Sequence, residues 1–269
     1  MPERGKGGQA IIPKNQLMFF DSHCHLNLPE FQNDWEVVAN EALEQNTWMI
    51  NVGVDLETSR KAIAIAQKYD KGVYVAVGRH PLEEGKEDFA SYEKLAKQPK
   101  VVAIGEIGLD FYHKERTLVE ENRQIILLLK QMRLGQKLSL PVIIHCRQAY
   151  QQLLNVFKEE FFQQQLEGVI HCFEGTLSQA QRLLDYGFYL GVNGLSLRVN
   201  LDGIIKNIPL NRILVETDSP YLCPPLFKGQ RNVPVNVRYV VDKIAKVKNK
   251  SSREVAQQTT ANAKKLFHL

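Results

Sequence analysis

Two histidines one residue apart, His23 and His25 in FFDSHCHLN, stand directly behind an apolar run, and four more groups of ligand type hold similar positions. Glu106 follows VVAIG, His145 ends PVIIH, His171 ends GVIH and Asp218 ends RILVETD. Imidazole nitrogens and carboxylate oxygens bind zinc, manganese, magnesium and similar divalent ions. Four histidines and two carboxylates exceed the needs of one tetrahedral zinc, so two metal ions are expected. A pair of ions roughly 3.5–4 Å apart shares a carboxylate and a hydroxide, and such a hydroxide is a nucleophile at neutral pH. Taken singly, each residue has a plainer reading. A histidine at a strand end can be a core or surface residue, and an acid after a strand can cap a helix or form an ion pair. The conjunction of all six is what points to a metal-dependent hydrolase.

Eight short apolar runs would have to position these groups: LMFFD, WMINVG, VYVAVG, VVAIGEIG, PVIIH, GVIH, GFYLGV and RILVETD. Between them lie amphipathic stretches of helical period, among them DWEVVANEALEQ, LETSRKAIAIAQKY, ERTLVEENRQIILLLKQMRL, RQAYQQLLNVFKEEF and LSQAQRLLDYG, with a weaker NLDGIIKNI. Two more, NVRYVVDKIAKVK and SREVAQQTTANAKKLF, follow the last strand. Strands alternating with helices imply a parallel sheet. Eight units in a chain of 269 residues match an α/β protein of the (β/α)8 TIM-barrel type. The rival, an open doubly wound sheet, predicts a glycine-rich loop after the first strand, where SHCHLN stands instead. In a barrel the carboxyl ends of all strands surround one mouth, so residues nearly 200 apart in sequence converge there. Strand alternation turns His23 and His25 to the barrel axis and Cys24 to the helix layer. The same parity sends Cys146 and Cys172 outward as small apolar fillers, a thiolate ligand role being the alternative.

The whole chain sets wider bounds. With 44% hydrophobic and 24% charged residues it reads as a globular protein. No apolar stretch reaches the roughly 20 residues of a membrane span, and MPERGKGGQAIIPKNQ lacks the apolar core of a secretory signal. Residues 1–16 are expected to be a mobile tail and residues 17–269 a single hydrolase domain. Four widely spaced cysteines favour a reducing, cytoplasmic setting. The net charge of +4 is uneven: from Lys228 to Leu269 ten Lys or Arg stand against two acids. That segment could follow a phosphate backbone or be a solvated basic face.

The motifs DSHCHLN (21–27), GRHP (78–81), GEIGLDF (105–111), PVIIHCR (141–147), HCF (171–173), ETDSPYL (216–222) and GQRN (229–232) resemble those of the TatD-type metal-dependent deoxyribonucleases, a branch of the amidohydrolase superfamily. The resemblance runs from about residue 18 to the C-terminus. It implies that His23, His25 and Asp218 hold one metal, that His145 and His171 hold the other, and that Glu106 bridges them where many amidohydrolases use a modified lysine. It implies further that Asp218 orients the attacking water and takes its proton, which with Glu106 makes two catalytic carboxylates. His80 and Arg147 would hold the substrate phosphate. Their alternatives are a loop histidine packed by Pro81 and an arginine paired with Asp110. His113 and His268 look incidental. The implied reaction is cleavage of DNA phosphodiester bonds by a metal-activated hydroxide, 3′ to 5′ from single-stranded ends. The competing readings are a hydrolase of amides, lactones or small phosphoesters on the same site, and a non-catalytic metal-containing barrel that binds nucleic acid or protein. Neither a membrane nor an obligate protein partner is expected. Val233 stands where the family commonly has an acid before the proline, and GVNGLSL after strand 7 is less typical, which puts the substrate loops in doubt.

Overall fold

Strand formation in this chain follows from its β-branched runs, each too short for a helix and each buried on both faces, as parallel barrel strands are. A computed structural model describes residues 17–84, 88–112, 117–160 and 166–269; the expected tail, 1–16, and His113 lie outside them. All eight expected strands form: β1 (Phe19–Cys24), β2 (Thr47–Val52), β3 (Val73–Val77), β4 (Val101–Asp110), β5 (Val142–Arg147), β6 (Gly168–Ile170), β7 (Tyr189–Val192) and β8 (Ile213–Val215). They pair in sequence order, every pair parallel, into one eight-stranded barrel.

The crossover helices are α1 (Trp35–Glu44), α2 (Leu56–Ala66), α3 (Phe89–Ala96), α4 (Leu118–Leu138), α5 (Tyr150–Glu160), α6 (Leu177–Asp185) and α7 (Asp202–Asn207), followed by α8 (Val237–Lys248) and α9 (Ser252–Leu266). Helix α3 was not anticipated. Its FASYEKLA is only eight residues long, and its start is fixed by Asp88, whose carboxylate accepts from the Ser91 N–H at 3.0 Å. Capping boxes at Asp55/Thr58, Thr176/Gln179 and Ser251/Glu254 begin α2, α6 and α9 by satisfying the orphan amides of the first turn. Among the described residues no helix is long and apolar enough to cross a membrane.

The core has two layers. Outward strand residues such as Met49, Val75, Ile144 and Leu190 pack against helix residues such as Leu128, Phe157, Val241 and Ile244. Inside the barrel lie Phe20, Ile50, Ala76, Ala103, Ile143, Val169 and Leu214. Each fully buried aliphatic or aromatic side chain contributes about 1.5–3 kcal/mol. Helix α9 closes the floor: Phe267 stacks on Phe20 with ring centroids 6.4 Å apart, and the Asn262 amide donates to Leu210 O at 2.9 Å and Ile213 O at 2.8 Å.

This placement divides the basic C-terminal segment. Lys264 of α9 lies over the Trp48 ring, and Arg238 of α8 bonds Gln45 and lies over Phe19, all near the amino ends of β1 and β2. Arg231 instead pairs with Asp34. The segment is therefore no continuous rail at the mouth.

Strands β1 and β8 close the barrel mainly through side chains and single contacts. Thr217 donates to both carboxylate oxygens of Asp21, from N at 2.8 Å and from Oγ1 at 2.6 Å, and the Ser22 hydroxyl donates to Val215 O at 3.1 Å. At the mouth the His25 N–H donates to Ser219 O and the Asp218 N–H to His23 O, both at 2.8 Å.

Candidate metal centre at the barrel mouth

Local backbone irregularities aim the ligand-type residues. Phe20 faces the interior, so uninterrupted alternation would point Cys24 inward and His23 and His25 outward. The β1–β2 register slips by one residue between Asp21 and Cys24, which reverses the phase. Cys24 thereby joins the outer core, its thiol donating to Ile50 O at 3.3 Å, and both histidines turn to the axis. A second slip between Ile104 and Ile107 does the same in β4, turning Glu106 and Asp110 inward. Glu106 therefore sits in the middle of β4, which runs four residues beyond it, rather than at its end. Gly108 lets β4 and β5 approach closely: a Cβ there would lie 1.9 Å from His145 O, and its φ of +152° favours glycine.

The six expected residues converge. His23 Nε2 and His25 Nε2 lie 3.0 Å apart. Glu106 Oε2 is 3.4 Å from the first and 3.8 Å from the second. Asp218 Oδ1 is 3.8 Å and 3.5 Å from the same two nitrogens. The other oxygen, Glu106 Oε1, faces His145 Nδ1 at 2.9 Å and His171 Nε2 at 2.8 Å. Asp218 adopts the left-handed region with φ +55°, uncommon for any residue but glycine.

The far sides of two rings, His145 and His25, are held by groups that sequence reasoning did not single out, whereas the buried Nδ1 atoms of His23 and His171 have no hydrogen-bond partner among the described residues. His145 Nε2 meets Asp110 Oδ2 at 2.9 Å, and His25 Nδ1 meets Val52 O at 2.8 Å. Both partners accept only, so these ring nitrogens carry the protons and the opposite nitrogens present lone pairs to the cluster. Glu216 Oε1 lies 3.5 Å from His171 Nδ1 and accepts the Cys172 N–H at 2.6 Å. A signal for Asp110 was present: it stands four residues after Glu106 in the same strand, a spacing that shares a strand face, whereas Glu216 and Asp218 lie past the end of β8.

Electrostatics here are dominated by the demand of the carboxylates for positive charge. Burial opposes ionisation of Glu106, yet His171, His80 and His23 hold its carboxyl well below the usual range. Burial also opposes charge on Asp218, but a hydrogen bond with His25 and the nearby His23 keep it below its ordinary value. Against their own burial, His171 is raised by Glu106 and Glu216, and His145 by Asp110 and Glu106. Protons or divalent ions satisfy such a demand. The donor set fits divalent ions, because lone pairs anchored from behind converge on one carboxylate. His23, His25 and Glu106 form one compact group of donors, and His80, Glu106 and His145 another that shares the same carboxylate.

The cluster forms the bottom of a cavity of about 610 Å³. His80 and Arg147 both line it. His80 Nδ1 accepts the Leu82 N–H at 3.2 Å, so Nε2 carries the proton and points toward Glu106 Oε1, 3.7 Å away. Burial pushes its pKa down to about 3, which makes it a neutral donor near pH 7. Although His80, Glu106 and His145 are close enough to hold an ion, this tautomer suits His80 to hydrogen bonding. Arg147 stacks on the Tyr112 ring at 3.7 Å, and among the described residues lining the cavity it is the one Lys or Arg.

One expectation fails. Cys172 is not packed between strand and helix: β6 ends at Ile170, so strand parity no longer applies, and Cys172 lies in a turn with φ +47°, lining the mouth. Burial pushes its thiol up to about 12. Cys146 does join the outer core, though it also touches the cavity. His268 follows α9 and Phe267, the residue stacked on Phe20 at the floor of the barrel.

Comparison with known proteins places this arrangement in context. A family model described as TatD related DNase matches residues 20–268. The metal-dependent hydrolase YabD of Bacillus subtilis is 36% identical over 259 residues, covering 94% of this chain and all of its own. The 3′-5′ ssDNA/RNA exonuclease TatD of Erwinia tasmaniensis is 31% identical over 262 residues, covering 93% of this chain and all of its own. The crystal structure of YjjV, a TatD homologue from Escherichia coli, superposes with a TM-score of 0.84 at 31% identity, covering 93% of this chain and 98% of that one.

Proposed function

The chain belongs to the TatD-related DNase family and is a metal-dependent hydrolase, and from that premise we propose that it removes nucleotides from the 3′ ends of single-stranded DNA. The reading assigns His23, His25 and Asp218 to one divalent ion and His145 and His171 to a second, with Glu106 shared. When bound, the ions would supply a nucleophilic water near neutral pH and positive charge for the leaving oxygen.

The chain's own residues do the rest. Asp218, ionised and held by its contact with His25, takes the proton of the attacking water. His80 donates a hydrogen bond from Nε2 to a phosphate oxygen. Arg147, braced on Tyr112, meets the phosphate charge in a mouth otherwise rich in carboxylates, including Glu83, Asp110 and Glu174. Asp110 fixes the ring orientation of His145, and Glu216 lies behind the His171 ring.

The observation that carries the reading is Glu106, whose two oxygens face two different histidine pairs. Support for single-stranded ends comes from the activity for which the Erwinia relative is named and from the cavity, whose volume suits a terminal nucleotide better than a duplex. The test combines metal analysis with release of nucleotide from 3′-labelled single-stranded DNA, with and without chelator. Two ions per chain, chelator-sensitive release and a loss of at least about 100-fold in Asp218→Asn are expected. A wild-type protein that releases nothing with Mg²⁺, Mn²⁺ or Zn²⁺ yet hydrolyses a lactone or amide refutes the proposal.

A further inference from the structure

The two arcs of the cavity rim differ in chemistry. After β7, β8 and β1, which are neighbours in the barrel, the lining residues outside the His25 and Asp218 of the cluster are Leu195, Tyr221, Leu222 and Leu28. After β3, β4 and β5, diametrically opposite, they include His80, Asp110 and Arg147. The metal-type cluster lies between the arcs. A nucleotide has the same division, with an apolar ring at one end and an anionic phosphodiester at the other.

Tyr221 is the large flat surface on the apolar arc. It is 50% exposed, though the chain around it is held firmly. Its N–H donates to Asp218 O at 2.8 Å, Pro220 O accepts the Asn232 N–H at 3.0 Å, and Asp218 is itself tied to His23. The ring stands edge-on to His25, with centroids 6.4 Å apart and planes at 63°. An aromatic ring on a firmly held backbone, one side chain away from the cluster, half exposed and lining the cavity, offers a stacking platform.

Building on the nuclease reading, we propose that Tyr221 stacks on the nucleobase of the terminal nucleotide, while the phosphodiester turns toward His80 and Arg147. Every base has a π-face, so recognition of this kind tolerates sequence, and it needs an unpaired base that can leave its neighbours. The Tyr221 platform therefore contributes selectivity for single strands. Its hydroxyl is not required, because stacking uses the ring.

The experiment compares two oligonucleotides, identical except that one carries an abasic residue at the 3′ terminus, with the wild type, Tyr221→Ala and Tyr221→Phe, each checked for fold by circular dichroism. For the wild type, removing the base raises KM about tenfold or more. In Tyr221→Ala that ratio collapses toward one, and in Tyr221→Phe it returns. A base effect of equal size in wild type and Tyr221→Ala overturns the stacking proposal and leaves the nuclease reading intact. A wild type that cleaves neither oligonucleotide overturns both.

Discussion

His145 Nε2 and Asp110 Oδ2 lie 2.9 Å apart, and this one contact decides which face of the His145 ring looks into the site. The carboxylate accepts only, so the proton stays on Nε2 and the Nδ1 lone pair is turned toward Glu106. Asp110 is itself positioned from α4, where Gln124 bonds both its backbone N–H and its carbonyl.

Replacing Asp110 by Ala should therefore weaken metal binding without dismantling the barrel. A loss of roughly 10- to 100-fold in affinity is expected, the usual range for the outer partner of a ligating histidine. Competition with a chromophoric chelator measures it, and an unchanged affinity would show that Asp110 does not orient His145.

The floor of the barrel offers a separate test of stability. Phe267 is almost fully buried and stacked on Phe20. Phe267→Ala should lower the unfolding free energy by about 3–5 kcal/mol in urea titration. Because the ring lies at the end away from the mouth, the specific activity of the folded fraction should be retained.

A pH effect is expected at the α3–α4 contact. Glu93 accepts from Lys137 Nζ and Lys97 Nζ, each at 2.8 Å, and these hydrogen bonds bring its pKa from 4.5 to about 2. A carboxylate with a depressed folded pKa stabilises the fold above its unfolded value and loses that contribution as pH falls through the folded one. The stabilisation should thus be complete above about pH 4.5 and fade toward pH 2. Thermal unfolding of Glu93→Gln across this window should show a shallower acid dependence than the wild type.

Much of this was legible in the sequence because barrel strands and ligand residues leave strong local marks. Eight β-branched runs, and histidines or acids directly behind them, needed no tertiary information. What escaped had weaker or non-local causes. Helix α3 is too short to show a period. The inward aim of His23 and Glu106 depends on register slips in β1 and β4 that no residue pattern announces. Asp110 was visible by its spacing from Glu106, but only knowledge of the facing histidine gives it a task, and Glu216 lies past the end of β8, where strand spacing says nothing. Cys172 was misjudged because β6 stops two residues earlier, in a turn that frees it from strand alternation.

The seam between β1 and β8 also has a temporal meaning. His23 and His25 are synthesised 195 and 193 residues before Asp218, and Asp21 196 residues before the Thr217 that grips it. Closing so long a loop is slow, and its entropy is recovered only when the last strand docks. A nascent chain can pair β1 through β7 while its two-histidine half still lacks Asp218. The histidine–carboxylate cluster is thus completed only when residues 217–219 dock against β1, as a late act of folding.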